Sequence, residues 1–466
     1  MRTSLTRSAE WDRNRGEPQQ VAFVCLLLAA AALGLAVVLV PPLYVIGGLI
    51  SLLAAALTLR QPYWGLLVIL AFEYIRPQQL IPALQPLYLP RFLTLWVCLA
   101  WVLPMIARSC AHLIRDRQNA VMVAILAVAS LSVLGAYAPG IAVGATIDLA
   151  KKIVAFFLIV NLAARHQKAR GLVWAILLLN SWLAINQVVS HDSTGLGADF
   201  VRLGAGTDSF LGNTIDYAVA LAVVIPFAMF LVFAERRPVL KLTAAILAVV
   251  FTAAMVGTGS RAGALGLLVL AVVFWIKSSR KGLGLALAVA LIAGWWFLSP
   301  RQYQARVVGA SQYHEDASAM ARIEAWRVAG QMFLDRPLLG VGIGNFARVR
   351  GRLYSRTSYY TALVAHNIVL QAAAELGLAG LVVYGLLGLF ILGDSRRIRE
   401  LADRMDADRG RWYRNVAHAL DASFIGYFVT SMFATTLYYP HLYIIAGLAV
   451  ALKHTALALV ADGSQT

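Results

Sequence analysis

Apolar residues run through this chain in long stretches that are separated by polar connections. A helix that crosses about 30 Å of hydrocarbon needs roughly 17 to 25 such residues. The pattern therefore predicts an all-α polytopic integral membrane protein with about 12 to 14 transmembrane helices. The first two stretches meet at Pro41-Pro42, so they can instead form a shallow hairpin. The candidate spans lie near 20–40, 41–59, 62–75, 91–108, 119–136, 145–163, 171–189, 214–234, 238–257, 261–277, 282–299, 366–392, 416–436 and 440–461.

Composition agrees with this assignment. Hydrophobic residues make up 60% of the 466 residues and charged residues 14%, and a soluble globular domain has an apolar share nearer half. The net charge of +17 arises mainly from the N-terminal tail and alternate short connections, where basic residues mark the cytoplasmic side. Both termini are therefore expected in the cytoplasm. Membrane lipids are the expected partners of these charges, and no nucleic-acid-binding module is visible.

Two features of the apolar stretches are assigned to structure. The first stretch follows several arginines, as a signal peptide does, but it is about 20 residues long and leads directly into a second span. It is interpreted as a retained first helix. Cys25, Cys98 and Cys110 lack metal-ligand spacing and are expected to be packing residues.

One polar segment, residues 300–365, interrupts the apolar pattern and is predicted to lie on the side of the membrane opposite to the cytoplasm. It contains nine arginines and no lysine. Arginine presents a rigid fork of donors that matches phosphate, so this composition indicates recognition of a phosphate-bearing ligand; the alternative is a general bias toward arginine in a lysine-poor chain. Apolar residues at helical spacing predict an amphipathic helix over Ser318–Asp335 that lies on the membrane surface. Its predicted apolar stripe consists of Met320, Ile323, Trp326 and Phe333-Leu334. The arginines are Arg301, Arg306, Arg322, Arg327, Arg336, Arg348, Arg350, Arg352 and Arg356.

Polar residues at predicted span ends mark candidate chemistry, because ionisable groups at such positions are costly. Arg261 begins a span within a run of small residues, although an interfacial arginine can also simply extend to lipid headgroups. His366 stands at the outward start of another span, where an imidazole can accept a proton from a hydroxyl nucleophile. The glycine-rich turn Gly340-Val341-Gly342-Ile343-Gly344 is not read as a nucleotide loop, since no strand precedes it.

Five motifs in order carry a family resemblance. They are Arg202…Gly206…Asn213, Ser260-Arg261-Ala262-Gly263-Ala264, Arg322…Trp326, Pro337 through Phe346, and His366-Asn367…Glu375-Leu376-Gly377-Leu378-Ala379-Gly380. Together they resemble the shared domain of bacterial O-antigen ligases and O-antigen polymerases, over roughly residues 200–390. Residues 72–78 also resemble a branch described as O-glycosylation ligases.

The resemblance implies a GT-C-like glycosyltransferase of the bacterial inner membrane with a periplasmic active site. Such an enzyme transfers a glycan from undecaprenyl diphosphate to a sugar hydroxyl of lipid A-core, with inversion at the anomeric carbon. It implies that His366 is the general base and that Arg261 and Arg322 stabilise the diphosphate leaving group. The further substrate-binding candidates are Arg202, Arg327, Asn367 and Glu375, the last of which can also be structural.

Several expectations complete the prediction. The same donor could serve an O-antigen polymerase or a protein O-oligosaccharyltransferase; a lipid-linked-sugar flippase is less favoured, since polarity is concentrated at the outward face. The aspartate pair Asp406-Ala407-Asp408 lies on the cytoplasmic side, so catalysis is expected to need neither metal nor cofactor. The chain is divided into an N-terminal bundle (1–199), a catalytic region (200–392) and a C-terminal part (393–466).

Overall fold

The structure is a computed structural model, and the ranges that it describes are all-helical, which confirms the predicted all-α polytopic fold. Within the described ranges, seven helices are long and apolar enough to cross a membrane. They begin at residues 89, 117, 166, 214, 238, 368 and 440. Those ranges are 53–75, 89–107, 113–192, 213–277, 281–298, 317–354 and 364–463. The helices are α1 (Pro62–Ile75), α2 (Leu89–Ala107), α3 (Arg117–Leu134), α4 (Pro139–Leu162), α5 (His166–Asp192), α6 (Thr214–Ala234), α7 (Pro238–Gly257), α8 (Arg261–Lys277), α9 (Lys281–Leu298), α10 (Ala317–Asp335), α11 (Phe346–Val349), α12 (Ile368–Ala402), α13 (Ala407–Ser431) and α14 (Pro440–Gly463).

Short polar side chains start several of these helices. Asn213 caps α6 by accepting a hydrogen bond from the N–H of Ile215 at 3.0 Å. Asp406 caps α13 through the N–H groups of residues 408 and 409, at 3.1 and 3.0 Å. Pro139 and Pro238 stand at the beginning of α4 and α7, where a missing N–H costs nothing. These residues set the starts of helices within continuous apolar stretches that give no boundary of their own.

Helix α6 is the centre of the bundle. It is apolar on all sides, and it packs against α7, α8 and α13. A helix that is hydrophobic all round is stable only when it is surrounded, and nearly all of α6 is buried. The neighbouring helices are therefore arranged around it, and α8 and α13 also pack against each other, with Gly266 near the start of α8 facing Thr430 near the end of α13.

Charged residues join the helices at the end of the bundle where α3 begins. Asp394 of α12 is fully buried and accepts hydrogen bonds from Arg117, Gln118 and Lys453, at 2.8, 2.7 and 2.8 Å. Asp116 accepts from Lys453 as well, at 2.5 Å. Every charge in this group has an opposite charge beside it, so the group fixes α3, α12 and α14 to each other. We call this the Asp394 end of the bundle, and the opposite end, where α12 begins, the His366 end.

Helix α10 confirms the helix predicted over Ser318–Asp335, but its buried face differs from the predicted apolar stripe. The predicted stripe included Met320 and Ile323, and both are exposed. The buried positions are instead Ala325, Val328, Ala329 and Met332, of which the first three have small side chains. Small side chains let α10 approach α12 closely, and tertiary packing selected that face.

Candidate functional site

The candidate site is organised by a break in α12. Gly377 has φ 64° and ψ −157°, which no residue inside a regular helix adopts. The turn at residues 337–342 fills the break: the N–H of Val341 donates to the carbonyl of Ala374 at 2.9 Å, and the N–H of Leu378 donates to the carbonyl of Pro337 at 2.7 Å. Two further backbone hydrogen bonds join the same segments: the N–H of Gly342 donates to the carbonyl of residue 375, and the N–H of residue 379 donates to the carbonyl of residue 338. We call this arrangement the loop–helix splice.

Glycine is required on both sides of the splice. A Cβ on Gly340, at φ +67°, would lie 2.4 Å from the backbone carbon of Glu375. A Cβ on Gly377 would lie 2.5 Å from the carbonyl group of Leu338. Both distances are far shorter than van der Waals contact allows. The N–H groups of Val341 and Gly342 donate to carbonyl groups of α12, so they are not available to a phosphate. The glycine turn therefore has a structural role.

The carboxylate of Glu375 holds the region together from inside the bundle. It is buried, and it accepts hydrogen bonds from the N–H of Phe346 at 3.1 Å and from the hydroxyl of Tyr438 at 2.7 Å. The N–H of Gly344 and the side chain of Gln371 also bond to it. Its acceptor sites are therefore occupied by the protein, so that the loop, α12 and the connection after α13 meet at one residue.

His366 lies directly before α12 in a constrained backbone conformation. Its φ is +47°, the left-handed region, which costs a non-glycine residue about 1 kcal/mol or more. Two contacts hold it: its N–H donates to Thr435 Oγ1 at 2.9 Å, and the adjacent Asn367 caps α12 by accepting from the N–H groups of Val369 and Leu370, each at 3.0 Å. Strain maintained in this way is typical of functional positions.

Burial and positive charge keep the His366 imidazole neutral. Its pKa is lowered to about 4, first by burial of the ring and then by the charges of Arg322 and Arg350. At neutral pH the ring can therefore accept a proton, as a general base must. Arg322 and Arg350 belong to the predicted arginine-rich segment, and in the folded protein both lie close enough to His366 for their charges to lower its pKa.

Arg350 is a functional candidate that the sequence pattern does not single out from the other arginines of residues 300–365. Arg350 is fully buried at the start of a π-helical turn, Arg350–Tyr354. Within the described part of the chain, its Nε, Nη1 and Nη2 atoms lack hydrogen-bond partners. No periodicity distinguished Arg350 from the other arginines of the segment, so only the fold could reveal this. Arg356 lies outside the described residues.

The other arginines that the sequence predicts for the site differ in their exposure and in their contacts. Arg322 is half-buried on α10 and faces the same region as His366. Arg327, on the next turn, is exposed and makes a bidentate ion pair with Glu324 at 2.9 and 2.8 Å. Arg261 is exposed at the start of α8, a helix that packs against α13. Arg202 lies outside the described residues.

The connection after α13, residues 432–439, contributes contacts that the sequence pattern did not indicate. Thr435 and Tyr438 bond to His366 and Glu375 as described, and the ring of Phe433 packs 6.4 Å from that of Trp326 on α10. Tyr439 bonds to the side chain of Asp216 in the first turn of α6. This connection therefore joins α6, α10 and α12 at the His366 end.

Among the described residues, no group of three or more His, Cys, Asp and Glu side chains is placed to hold a metal ion. The expectation of metal-independent chemistry stays a prediction to be tested.

Comparison with known families locates the shared domain. Residues 245–385 match the family model described as O-antigen ligase. The match begins in α7 and ends in α12, so it includes Arg261, Arg322, the loop–helix splice and His366. A comparison with curated proteins found no match. These findings confirm the resemblance seen in the sequence motifs: residues 245–385 of this chain are similar to the O-antigen ligase family.

Proposed function

We propose that this protein is an inverting O-antigen ligase. Its donor is a glycan carried on undecaprenyl diphosphate, and its acceptor is a sugar hydroxyl of lipid A-core. The family domain supports glycosyl transfer of the ligase or polymerase type. The observation that carries the mechanism is His366, which is held in a strained backbone conformation at one end of a membrane bundle and whose pKa is lowered by burial and by the charges of Arg322 and Arg350.

The reaction is a direct displacement. The acceptor oxygen attacks the anomeric carbon on the face opposite the diphosphate, and its proton passes to the imidazole of His366. The bond from the anomeric carbon to the diphosphate oxygen breaks, and the electron pair leaves on undecaprenyl diphosphate. Attack from the opposite face inverts the anomeric configuration. The imidazolium then returns its proton to water.

Arginine supplies the positive charge that the leaving group needs. Arg322 and Arg261 bind the diphosphate, with Arg202 as a further ligand, because a guanidinium fork matches two phosphate oxygens at once. Asn367 and Glu375 are positioning residues in this proposal. Asn367 caps α12 and fixes the adjacent His366, and Glu375 joins α12 to the loop through its hydrogen bond with Phe346. Arg327, which is paired with Glu324, acts in this proposal by occupying that carboxylate.

The site faces the periplasm in this proposal. Both termini are then cytoplasmic, and the Asp394 end is the cytoplasmic end of an inner-membrane protein. This orientation agrees with the basic connections of the sequence. It also separates the site from cytoplasmic nucleotide sugars, which should not replace the lipid-linked donor.

Substitution of His366 tests the mechanism. His366→Asn removes the base while keeping a residue that tolerates positive φ, and His366→Ala removes the base and adds strain. We expect both purified variants to lose about 10²- to 10⁴-fold in transfer from undecaprenyl-diphosphate-linked glycan. His366→Asn should also melt close to the wild-type temperature. Near-normal transfer by His366→Asn would remove this residue from the mechanism.

A deletion strain identifies the acceptor. The resemblance of residues 72–78 to O-glycosylation ligases favours a protein acceptor as the second candidate. Mass analysis of lipopolysaccharide, glycoproteins and free polymer should show lipid A-core lacking its glycan. Loss of glycan from proteins would instead indicate a protein O-oligosaccharyltransferase, and loss of long polymer an O-antigen polymerase.

A further inference from the structure

Arg350 differs from two other cations of the described bundle, the buried Lys453 and the half-buried Arg399. Lys453 is almost fully buried, and two carboxylates, those of Asp116 and Asp394, lie within 2.5 and 2.8 Å of its Nζ atom. Arg399 lies 2.6 Å from a carboxylate oxygen of Asp421. Each of these charges is neutralised inside the protein, as buried charges normally are.

The guanidinium of Arg350 has no such partner within the described chain, although its exposed fraction is 0%. Burial lowers its pKa, and the charge of Glu324 partly offsets that effect. Glu324, however, already gives both carboxylate oxygens to Arg327. An arginine remains protonated even when buried, so the molecule holds a cation with unused donors on three nitrogen atoms.

The surroundings of Arg350 hold it in place without neutralising it. It follows α11, whose residues Phe346 and Val349 belong to a small apolar cluster with α10 and the start of α12. At the other end of its π-helical turn, the hydroxyl of Tyr354 donates to Asp335 of α10. Single π-helical turns are rare, and they are frequently found at functional sites. The backbone on both sides of Arg350 is thus fixed to the elements that carry Arg322 and His366.

An isolated charge in such a place is destabilising, and a bound ligand of opposite charge would offset that cost. We propose that Arg350 is a substrate-binding arginine whose guanidinium pairs with the diphosphate of the lipid-linked donor. This inference rests on the proposed function for the identity of the donor. In the ligand-free protein the guanidinium is enclosed, so pairing requires a shift of its side chain or of the turn that carries it.

Two properties distinguish a ligand-binding arginine from a structural one. Replacing Arg350 by the apolar Met removes an unpaired charge, so the ligand-free variant should melt at the wild-type temperature or above it. The same variant should lose about ten- to a hundredfold in affinity for the anion, because charge-assisted hydrogen bonds are lost. A structural arginine would show the opposite pattern, with a lower melting temperature and unchanged affinity.

The experiment measures melting temperature and binding in detergent for the full chain. The probes are undecaprenyl diphosphate, uncharged undecaprenol and inorganic pyrophosphate. The variants are Arg350→Met, Arg350→Lys and the control Arg348→Met, which removes an exposed arginine two residues away. We expect Arg350→Met to lose most of the response to both diphosphate probes, while Arg348→Met keeps it and undecaprenol binding is unchanged in all variants.

Unchanged diphosphate affinity in Arg350→Met would overturn the proposal. If Arg350→Met fails to fold, Arg350→Lys decides: a loss of affinity of at least threefold supports the guanidinium contact, and wild-type affinity overturns it. A wild-type protein that responds to pyrophosphate but not to undecaprenyl diphosphate would contradict the proposed donor while leaving Arg350 as an anion-binding residue. The two inferences can therefore fail separately.

Discussion

The pH dependence of transfer tests the electrostatics of His366 directly. Burial, Arg322 and Arg350 together lower its pKa from 6.5 to about 4. A general base works only while unprotonated, so activity is retained above this pKa and falls as the pH drops through it. At pH 5.5, a base with a pKa of about 4 is about 97% unprotonated, whereas a base with a pKa of about 6.5 is about 9% unprotonated.

Arg350→Met changes only part of this environment. It removes one positive charge but leaves the burial of the ring, which is the largest cause, and the charge of Arg322. The pKa of His366 in this variant should therefore lie between about 4 and 6.5. The ratio of kcat/KM at pH 5.5 to that at pH 8 should stay near one for the wild type and fall for Arg350→Met, by up to about tenfold.

The assay follows initial rates of transfer by purified protein over a pH series, with Arg348→Met as the control for loss of an arginine. Since kcat/KM reports the free enzyme and kcat the donor complex, the acid limb of kcat should lie at higher pH than that of kcat/KM, because bound diphosphate offsets the arginine charges. A wild-type kcat/KM that falls by half near pH 6.5 would refute the electrostatic reasoning. Identical ratios in wild type and Arg350→Met would show that Arg350 does not act on His366.

Four further predictions concern the site and its support. Arg322→Lys should lose most transfer activity, since a point charge does not reproduce bidentate contact, while Arg327→Lys should lose much less; equal losses in steady-state assays would contradict this assignment. Gly377→Ala should lower the melting temperature, because its Cβ would overlap backbone at 2.5 Å, whereas Gly385→Ala, on the same helix with open space around it, should not; a thermal melt of both decides. Glu375→Ala leaves the buried donors of Phe346 and Tyr438 without an acceptor, and each unpaired donor costs about 1–3 kcal/mol of folding stability. The variant should therefore unfold at a lower denaturant concentration, and wild-type stability would show that these hydrogen bonds do not stabilise the fold. Transfer should continue in excess EDTA, and inhibition that magnesium or manganese reverses would overturn the metal-independent mechanism.

Sequence patterns predicted the features that local physics determines. The apolar stretches gave the helical membrane fold, and the bounds of α10 were predicted to within a residue. His366 could be found because it stands at the predicted start of an apolar span, and Asn367 because it belongs to the same family motif. The order of the sequence motifs indicated the family whose model matches residues 245–385.

Contacts between distant segments were not predictable in the same way. The buried face of α10 was decided by the approach of α12, which favours alanine over larger apolar residues. The burial of Arg350 depends on the turn after α11, and nothing in the alternation of arginines at 348, 350 and 352 distinguishes it. Thr435 and Tyr438 lie about 60 to 70 residues after their partners His366 and Glu375, so only the folded chain brings them together.

The loop–helix splice has a consequence for how this domain can be divided. Two N–H groups of the turn use carbonyls of α12, and two N–H groups of α12 use carbonyls of the turn, so neither segment satisfies its backbone alone. Moving the turn into another protein, or straightening α12, would leave four polar groups unpaired inside an apolar bundle. The family match at residues 245–385 contains both segments. The turn and α12 are therefore one structural unit, and an engineered chimera should exchange them together.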